Sequence, residues 1–429
     1  PLRTSVKDFS GHITNNTVSL DRLTLTSGRS HIAATGKLSG IRGALLRNGP
    51  ISLNLKVTSD SLNVNELLSA LSIGSGYSSK PGNSNDPEMD DEEYLAAVVI
   101  DTLGNAVPES SLFVIPSNVK ANIVLEASNA TYSKLDMDWI AAELTMKERC
   151  IQIKNTVAST NMGDLYFEGF YSTRTKKNLK TGFNINLVDI TADKVIDMMP
   201  AVDSIMPMLK SFKGMLDCEL AATASIDTTM SILMPTLTGV IRISGKDLAL
   251  QESESLFKIA RMLKFKDIHN ININDMSVEG VISDNRIEIF PFLLSVDRYS
   301  LAMSGIQNLD QTFKYHISAL KSPLLVRFGV DLWGDFDNFR FKIGKAKYKN
   351  ANIPVFSAVV DQTKLNLSQS IRNIFSRGVE QAIRENESQK LINAHKEDIN
   401  YENPADTGIE ELSEDEAKQL EEDNNEQEQ

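Results

Sequence analysis

Three copies of one spacing recur along this chain and restrict the folds open to it. In each copy, two apolar residues two positions apart are followed by a Gly eighteen positions after the first. Turn residues that bound alternating runs are typical of β-hairpins. A Gly at the end of such a hairpin indicates a bulge or a close backbone approach. The spacing therefore predicts three tandem β-units, which contain Val18, Leu20 and Gly36; Ile151, Ile153 and Gly169; and Ile287, Ile289 and Gly305.

Strand-like alternation continues between these copies. Apolar residues occupy every second position in residues 51–57, 123–127, 183–187 and 339–343. Such a pattern puts apolar side chains on one face and polar ones on the other, which is typical of antiparallel sheet with one buried side. The predicted fold is mainly β: a repeating antiparallel β-groove, elongated and curved, with a few short helices and a C-terminal helix.

The helical segments are few and short. Residues 62–68, 190–196 and 253–263 fit helices that begin at N-caps, for which Asn63 or Asn65, Thr191 and Ser253 are the candidates. The period becomes helical again at residues 368–383. We expect its apolar stripe to pack against the last strands, with a membrane surface as the alternative; the stripe consists of Ile371, Ile374, Phe375, Val379 and Ile383.

These elements divide the chain into three repeats and a tail. The predicted repeats cover residues 1–110, 111–245 and 246–350. The first repeat holds an insertion near 74–93 whose Gly, Ser, Pro and acidic residues indicate disorder. A C-terminal strand and helix segment at 351–400 and an acidic disordered tail at 401–429 follow.

The charge distribution argues against nucleic acid as a partner. The formal net charge is −13, and residues 405–429 hold eleven acidic residues against one Lys. The remaining chain is nearly neutral, whereas phosphate binding needs clustered Lys and Arg. No apolar run reaches the length of a membrane-spanning helix. The sequence opens at Pro1 inside a strand-like pattern, so we expect a fragment with an anchor segment upstream.

The sequence offers no pattern that supports catalysis. Its five His residues are scattered, and no metal-binding, nucleophile-elbow or phosphate-loop motif is present. Cys150 and Cys218 lie in alternating apolar patterns and are interpreted as buried small hydrophobes rather than a redox pair. Trp139 and Trp333 are interpreted as core or groove lining. We therefore predict no enzyme activity and no cofactor.

One-sided sheet of this extent needs a cover for its apolar face. The few short helices are insufficient to supply it. Two arrangements remain open: a closed β-sandwich core, or an open groove that holds an apolar ligand.

Part of the sequence resembles the C-terminal region of the AsmA family, which includes TamB-like proteins of Gram-negative bacteria. The residues that carry the resemblance are 237–250, 278–290 and 301–305, and the strand and Gly spacing extends it over about residues 1–385. The resemblance implies a periplasmic protein anchored in the inner membrane by an N-terminal helix that this sequence lacks. It also implies an apolar β-groove that carries phospholipid acyl chains toward the outer membrane, and no catalytic residues.

The predicted function is thus lipid binding and transfer in outer-membrane biogenesis, with an outer-membrane protein as a possible partner of the C-terminal helix. The alternative is a non-catalytic scaffold with a closed sandwich core. The candidate residues for the lipid groove are Ile123, Leu125, Ile185, Leu187, Ile241, Ile243, Leu301, Met303, Phe341 and Ile343.

Overall fold

The computed structural model describes residues 4–47, 49–66, 115–132, 135–173, 179–191, 212–227, 232–250, 272–296, 299–322, 327–335 and 338–377. Eighteen β-strands in these ranges belong to one sheet. The first nine are β1 (Thr4–Ile13), β2 (Thr17–Ser27), β3 (Ser30–Ser39), β4 (Ile51–Asn63), β5 (Val119–Tyr132), β6 (Leu135–Lys147), β7 (Cys150–Thr160), β8 (Gly163–Ser172) and β9 (Leu179–Thr191).

The other nine strands are β10 (Phe212–Lys213), β11 (Met215–Ile226), β12 (Thr238–Leu250), β13 (Asn272–Ser283), β14 (Arg286–Val296), β15 (Tyr299–Asn308), β16 (Phe313–Lys321), β17 (Phe328–Gly334) and β18 (Phe339–Gly344). Within the described ranges, three α-helices have both ends described: α1 (Ile41–Arg47), α2 (Ser357–Arg372) and α3 (Ile374–Arg377). A 3-10 helix at Met234–Thr236 precedes β12. The prediction of a mainly β chain with few helices is confirmed.

Strand pairing follows chain order. Within β1–β4, β5–β8 and β12–β18, each strand pairs antiparallel with the next. Strands β4 and β5 are an exception, because they pair in parallel. A parallel pair needs a long crossover connection, and residues 64–118 lie between these two strands in the sequence. In the part of the chain that the structure describes, the sheet is unclosed: β1 pairs with β2, and β18 with β17.

The three predicted hairpins have the same register. Leu20 pairs with Gly36, Ile153 with Gly169, and Ile289 with Gly305. Each apolar residue is followed by a β-bulge, in which two residues oppose one on the partner strand. The prediction that the three Gly residues occupy equivalent positions is confirmed, and the bulge lies on the strand opposite each Gly.

The next strand of the sheet explains the Gly requirement. A Cβ on Gly36 would overlap the carbonyl oxygen of Asn54, and a Cβ on Gly305 would overlap that of Lys314. At Gly169 the corresponding contact, with the Gly182 carbonyl oxygen, is looser at 3.1 Å. Backbones approach closely where a bulge increases the local twist.

The chain forms two compact units. Unit 1 comprises residues 1–186, 221–237 and 367–385, and unit 2 comprises 187–220, 238–366 and 386–429. The boundaries fall inside β9, β11 and α2, so each of these elements contributes to both units. The predicted boundaries of three repeats stay a prediction.

The predicted short helices are only partly within the described residues. Residues 64–66 are helical, and the Asn63 side-chain oxygen accepts a hydrogen bond from the Glu66 amide at 3.0 Å. Asn63 is therefore an N-cap, as predicted. The helices expected at 190–196 and 253–263, the insertion near 74–93 and the acidic tail lie outside the described residues, apart from residues 190 and 191, which end β9.

Candidate functional site: the apolar sheet face

Unit 1 carries an apolar face that extends across β2 to β8. Directly paired residues point to the same side of a sheet, and a central row can be followed strand by strand. It consists of Leu20, Gly36, Leu55, Ile123, Leu144, Ile153 and Gly169. A second row on one side of it contains Val18, Leu38, Leu53, Ala121, Met146 and Ile151.

The size of this face suits a lipid chain. Seven strands at about 4.8 Å spacing make the central row about 29 Å long. The hydrocarbon core of a bilayer is about 30 Å thick for two leaflets, so one acyl chain extends over about half of that distance. The face can therefore accommodate an acyl chain along the row.

The large side chains of this face are half-buried, although they are apolar. Leu20, Leu55, Ile123, Leu144 and Ile153 all keep an accessible fraction. Apolar area that stays accessible over several neighbouring strands indicates a binding surface rather than a finished core.

The opposite side of β4 and β5 is polar. Asn122 donates a hydrogen bond to the Asn54 side chain at 3.2 Å, and Lys56 lies 3.6 Å from a Glu126 oxygen. Val124 is an exception, an apolar residue on this side with 40% of its surface exposed. The two sides of β4 and β5 thus differ in chemistry as the alternation predicted.

The C-terminal helical segment, which comprises α2 and α3, covers the side of β7 and β8 that is opposite the apolar face. Ile371 and Ile374 are buried against Cys150 and Phe170, with Phe375 beside them. This helix therefore leaves the apolar face of unit 1 free, because its contacts lie on the other side of the same strands.

Polar groups hold this end of the helix in place. The Gln152 side chain donates to the Ile371 carbonyl oxygen at 2.6 Å, and Arg372 donates to Glu168 at 2.8 Å. The expected packing of Ile371, Ile374 and Phe375 is confirmed. The expectation that they pack against the last strands is wrong, because their partners are β7 and β8. Val379 and Ile383 lie outside the described residues.

In unit 2 the apolar side chains of the sheet are buried. Tyr299, Leu301, Phe313, Ile317, Ala319, Phe328, Val330 and Leu332 form a buried cluster on β15–β17. Met303 and Ile343 are partly buried against it and lie in one row through Ile317 and Val330. This face is a core, unlike the accessible face of unit 1.

The candidate groove residues thus fall into three groups. Half-buried are Ile123, Leu125, Ile185, Met303 and Ile343. Buried are Leu187, Ile241, Ile243 and Leu301, and Phe341 is exposed on the edge strand β18. Ile123 and Leu125 lie on the accessible face of unit 1. Ile185 neighbours Asn184, which bonds to Ser368 of the covering helix, so Ile185 points away from that helix.

An ion-pair cluster that the sequence did not predict holds the first part of α2 in unit 2. Arg242 lies within 3.1 Å of carboxylate oxygens of Glu219, Glu279 and Asp361, and Lys364 lies 2.9 Å from Glu219. Burial lowers the pKa of Arg242, but the hydrogen bonds and the charges of Asp361 and Glu279 together outweigh it and raise the pKa. Alternation placed Arg242 on the polar side, but its partners come from distant segments.

A second polar network surrounds His316. One ring nitrogen lies 2.7 Å from Asp331, and the other lies 3.0 Å from the Ser318 hydroxyl and accepts the Lys347 amide at 3.2 Å. Ser318 is fully buried and also accepts the Tyr348 amide. The network attaches the segment after β18 to the sheet.

Neither Cys residue is in a disulfide, and both are buried. Burial, assisted by the neighbouring Glu219 charge, raises the pKa of the Cys218 thiol to about 12. Since the thiolate is the reactive form, Cys218 behaves as a small hydrophobe, as predicted.

No protein family, curated protein or solved structure matches this chain. Within the described ranges, no helix is long and apolar enough to cross a bilayer. The same residues contain no group of three or more His, Cys, Asp and Glu side chains that could hold a metal ion.

Proposed function

We propose that this protein binds phospholipid acyl chains along the apolar face of unit 1 and transfers lipid without catalysis. The observation that carries the proposal is the continuous half-buried row from Leu20 to Ile153. The opposite side of the sheet is polar on β4 and β5 and is covered by α2 and α3 on β7 and β8. The driving force is partition. Each CH₂ group removed from water contributes roughly 0.8 kcal/mol, so an acyl chain gains about 10 kcal/mol.

The cellular setting belongs to the same proposal. The resemblance to the AsmA family supports a periplasmic location, an inner-membrane anchor upstream and a role in outer-membrane biogenesis. An outer-membrane protein is the proposed partner of the C-terminal helix. Leu365 on α2 is 49% exposed and is the contact that we propose for such a partner.

The buried cluster of unit 2 favours a scaffold as the second candidate function. Its Leu301, Ile317 and Val330 leave almost no surface for a ligand. A scaffold would have a closed core throughout and would hold no lipid, so lipid binding to unit 1 distinguishes the two functions.

A pair of neighbouring substitutions on β5 tests the proposal. Ile123→Glu puts a carboxylate on the accessible apolar face, where water can still reach it, so the fold should persist while bound lipid is lost. The measurement is native mass spectrometry with lipid extraction of the gently purified chain, together with circular dichroism.

Val124→Glu is the matched control, since it adds the same charge one residue along, on the polar side. It should retain both fold and lipid. Lipid that persists in Ile123→Glu, or its absence from the unaltered protein, would reject the proposal. Unfolding of Ile123→Glu alone would favour a closed core.

A further inference from the structure

One end of unit 1 presents large apolar side chains to water. Helix α1 lies between β3 and β4 and has no buried residue. Its Leu45 and Leu46 are 80% and 70% exposed, and Ile13, at the end of β1, is 76% exposed. Isolated exposed leucines are common on protein surfaces, but here three large apolar residues are exposed at one end of the sheet, and these three are called the patch.

Hydrogen bonds join the two segments that carry this patch. The Asn16 carbonyl oxygen, in the turn after Ile13, accepts the Gly40 amide at 3.0 Å. The Asn16 side-chain oxygen accepts the Arg42 amide at 3.3 Å. These bonds attach the start of α1 to the β1–β2 turn, so Ile13 and α1 share one end of the sheet.

The charge on α1 and its flanking residues is positive. Arg42 and Arg47 are exposed on α1, and residues 37–50 contain no Asp or Glu, although the whole chain has a formal net charge of −13. Apolar side chains flanked by Arg fit an anionic bilayer surface, where the arginines meet lipid phosphates. A protein groove that binds a helix uses anchors three or four residues apart, which the consecutive Leu45 and Leu46 do not provide.

The patch is also continuous with the apolar face. Ile13 pairs with Val18, Val18 with Leu38, and Leu38 with Leu53. A lipid that leaves the bilayer at this end would therefore meet apolar side chains along the whole path onto the face.

We propose that α1 and the end of β1 dock on an anionic membrane surface, with Ile13, Leu45 and Leu46 inserted and Arg42 and Arg47 at the headgroups. The proposal rests on the proposed lipid function, because it names the place where lipid enters the face.

Vesicle flotation tests the docking. The protein is mixed with vesicles of phosphatidylethanolamine and phosphatidylglycerol, or with phosphatidylcholine vesicles. The double variant Arg42→Gln, Arg47→Gln should bind the anionic vesicles about 30-fold more weakly, since each cation near the surface contributes about a factor of five. The double variant Leu45→Ser, Leu46→Ser should lose binding to both kinds of vesicle.

Controls on unit 2 make the result specific. Val355→Ser removes an exposed apolar residue and Lys321→Gln an exposed cation, and both should float like the unaltered protein. Docking is overturned if the unaltered protein does not float, if the α1 variants float normally, or if the controls lose as much binding. Bound lipid is measured in the same samples. If the α1 variants lose flotation but keep bound lipid, the result supports docking. If neither the unaltered protein nor any variant contains lipid, the proposed transfer function is rejected independently of docking.

Discussion

A methyl group added at Gly36 would occupy the space of the Asn54 carbonyl oxygen, which belongs to the next strand of the sheet. The same holds for Gly305 and the Lys314 carbonyl oxygen. Because backbone atoms cannot move aside as a flexible side chain can, Gly36→Ala and Gly305→Ala should each lower the free energy of unfolding by about 1–3 kcal/mol. Urea unfolding followed by circular dichroism measures this loss.

Gly43 supplies the control for those substitutions. A Cβ at Gly43, inside α1, would meet nothing within 4 Å. Gly43→Ala should therefore be neutral or stabilise the protein by about 0.5–1 kcal/mol, because Ala is the better helix former. Equal losses at all three positions would contradict the close-approach explanation.

The sequence predicts the surroundings of some residues and not of others. The three Gly positions could be predicted because one spacing recurs with matching turns. The surroundings of Arg242 and His316 could not, because each network joins strands to a segment far along the chain, as when Arg242 meets Asp361. Alternation specifies the side of a strand but no long-range partner.

The sequence patterns predicted some strands and helices better than others. Alternation found the strands, and helical periodicity found the C-terminal helix, which begins earlier than expected, at Ser357. The strands it packs on were predicted wrongly because an apolar stripe does not encode its partner. The parallel pairing of β4 and β5 also went unpredicted, since neither strand carries a signal for its direction.

The packing of α2 on the sheet can be tested by substituting two residues of that helix. Ile371 is 1% exposed and packs with Cys150 and Phe170, whereas Leu365 is 49% exposed. Ile371→Ala should lower the free energy of unfolding by about 2–5 kcal/mol, because it leaves a cavity. Leu365→Ala should change it by less than about 1 kcal/mol. Thermal or urea unfolding of the two variants provides the comparison.

Hydrogen exchange distinguishes a helix that packs on the sheet from one that binds a membrane. If α2 is seated on the sheet, its amides should be protected from hydrogen exchange in water without vesicles. Free exchange that becomes slow only when vesicles are added would mean that the helix binds membrane instead.

At the scale of the whole molecule, alternation gives the side that is apolar but not the extent of its burial. Ile123 and Ile241 have equivalent patterns in the sequence, yet Ile123 is half-buried in unit 1 and Ile241 is buried in unit 2. Burial depends on what other segments cover, which no local pattern records. The accessible face of unit 1 is therefore the part of the predicted groove to which the proposed lipid binding is assigned.

The central claim, that this face contacts acyl chains, is tested most directly by site-specific photocrosslinking. A photoreactive amino acid replaces Leu55 on the face, or Lys56 one residue along on the polar side, and the protein is illuminated with phospholipid vesicles. Lipid adducts are identified by mass spectrometry. A phospholipid adduct is expected at position 55 and none at position 56. No adduct at 55, or equal adducts at both positions, would contradict it.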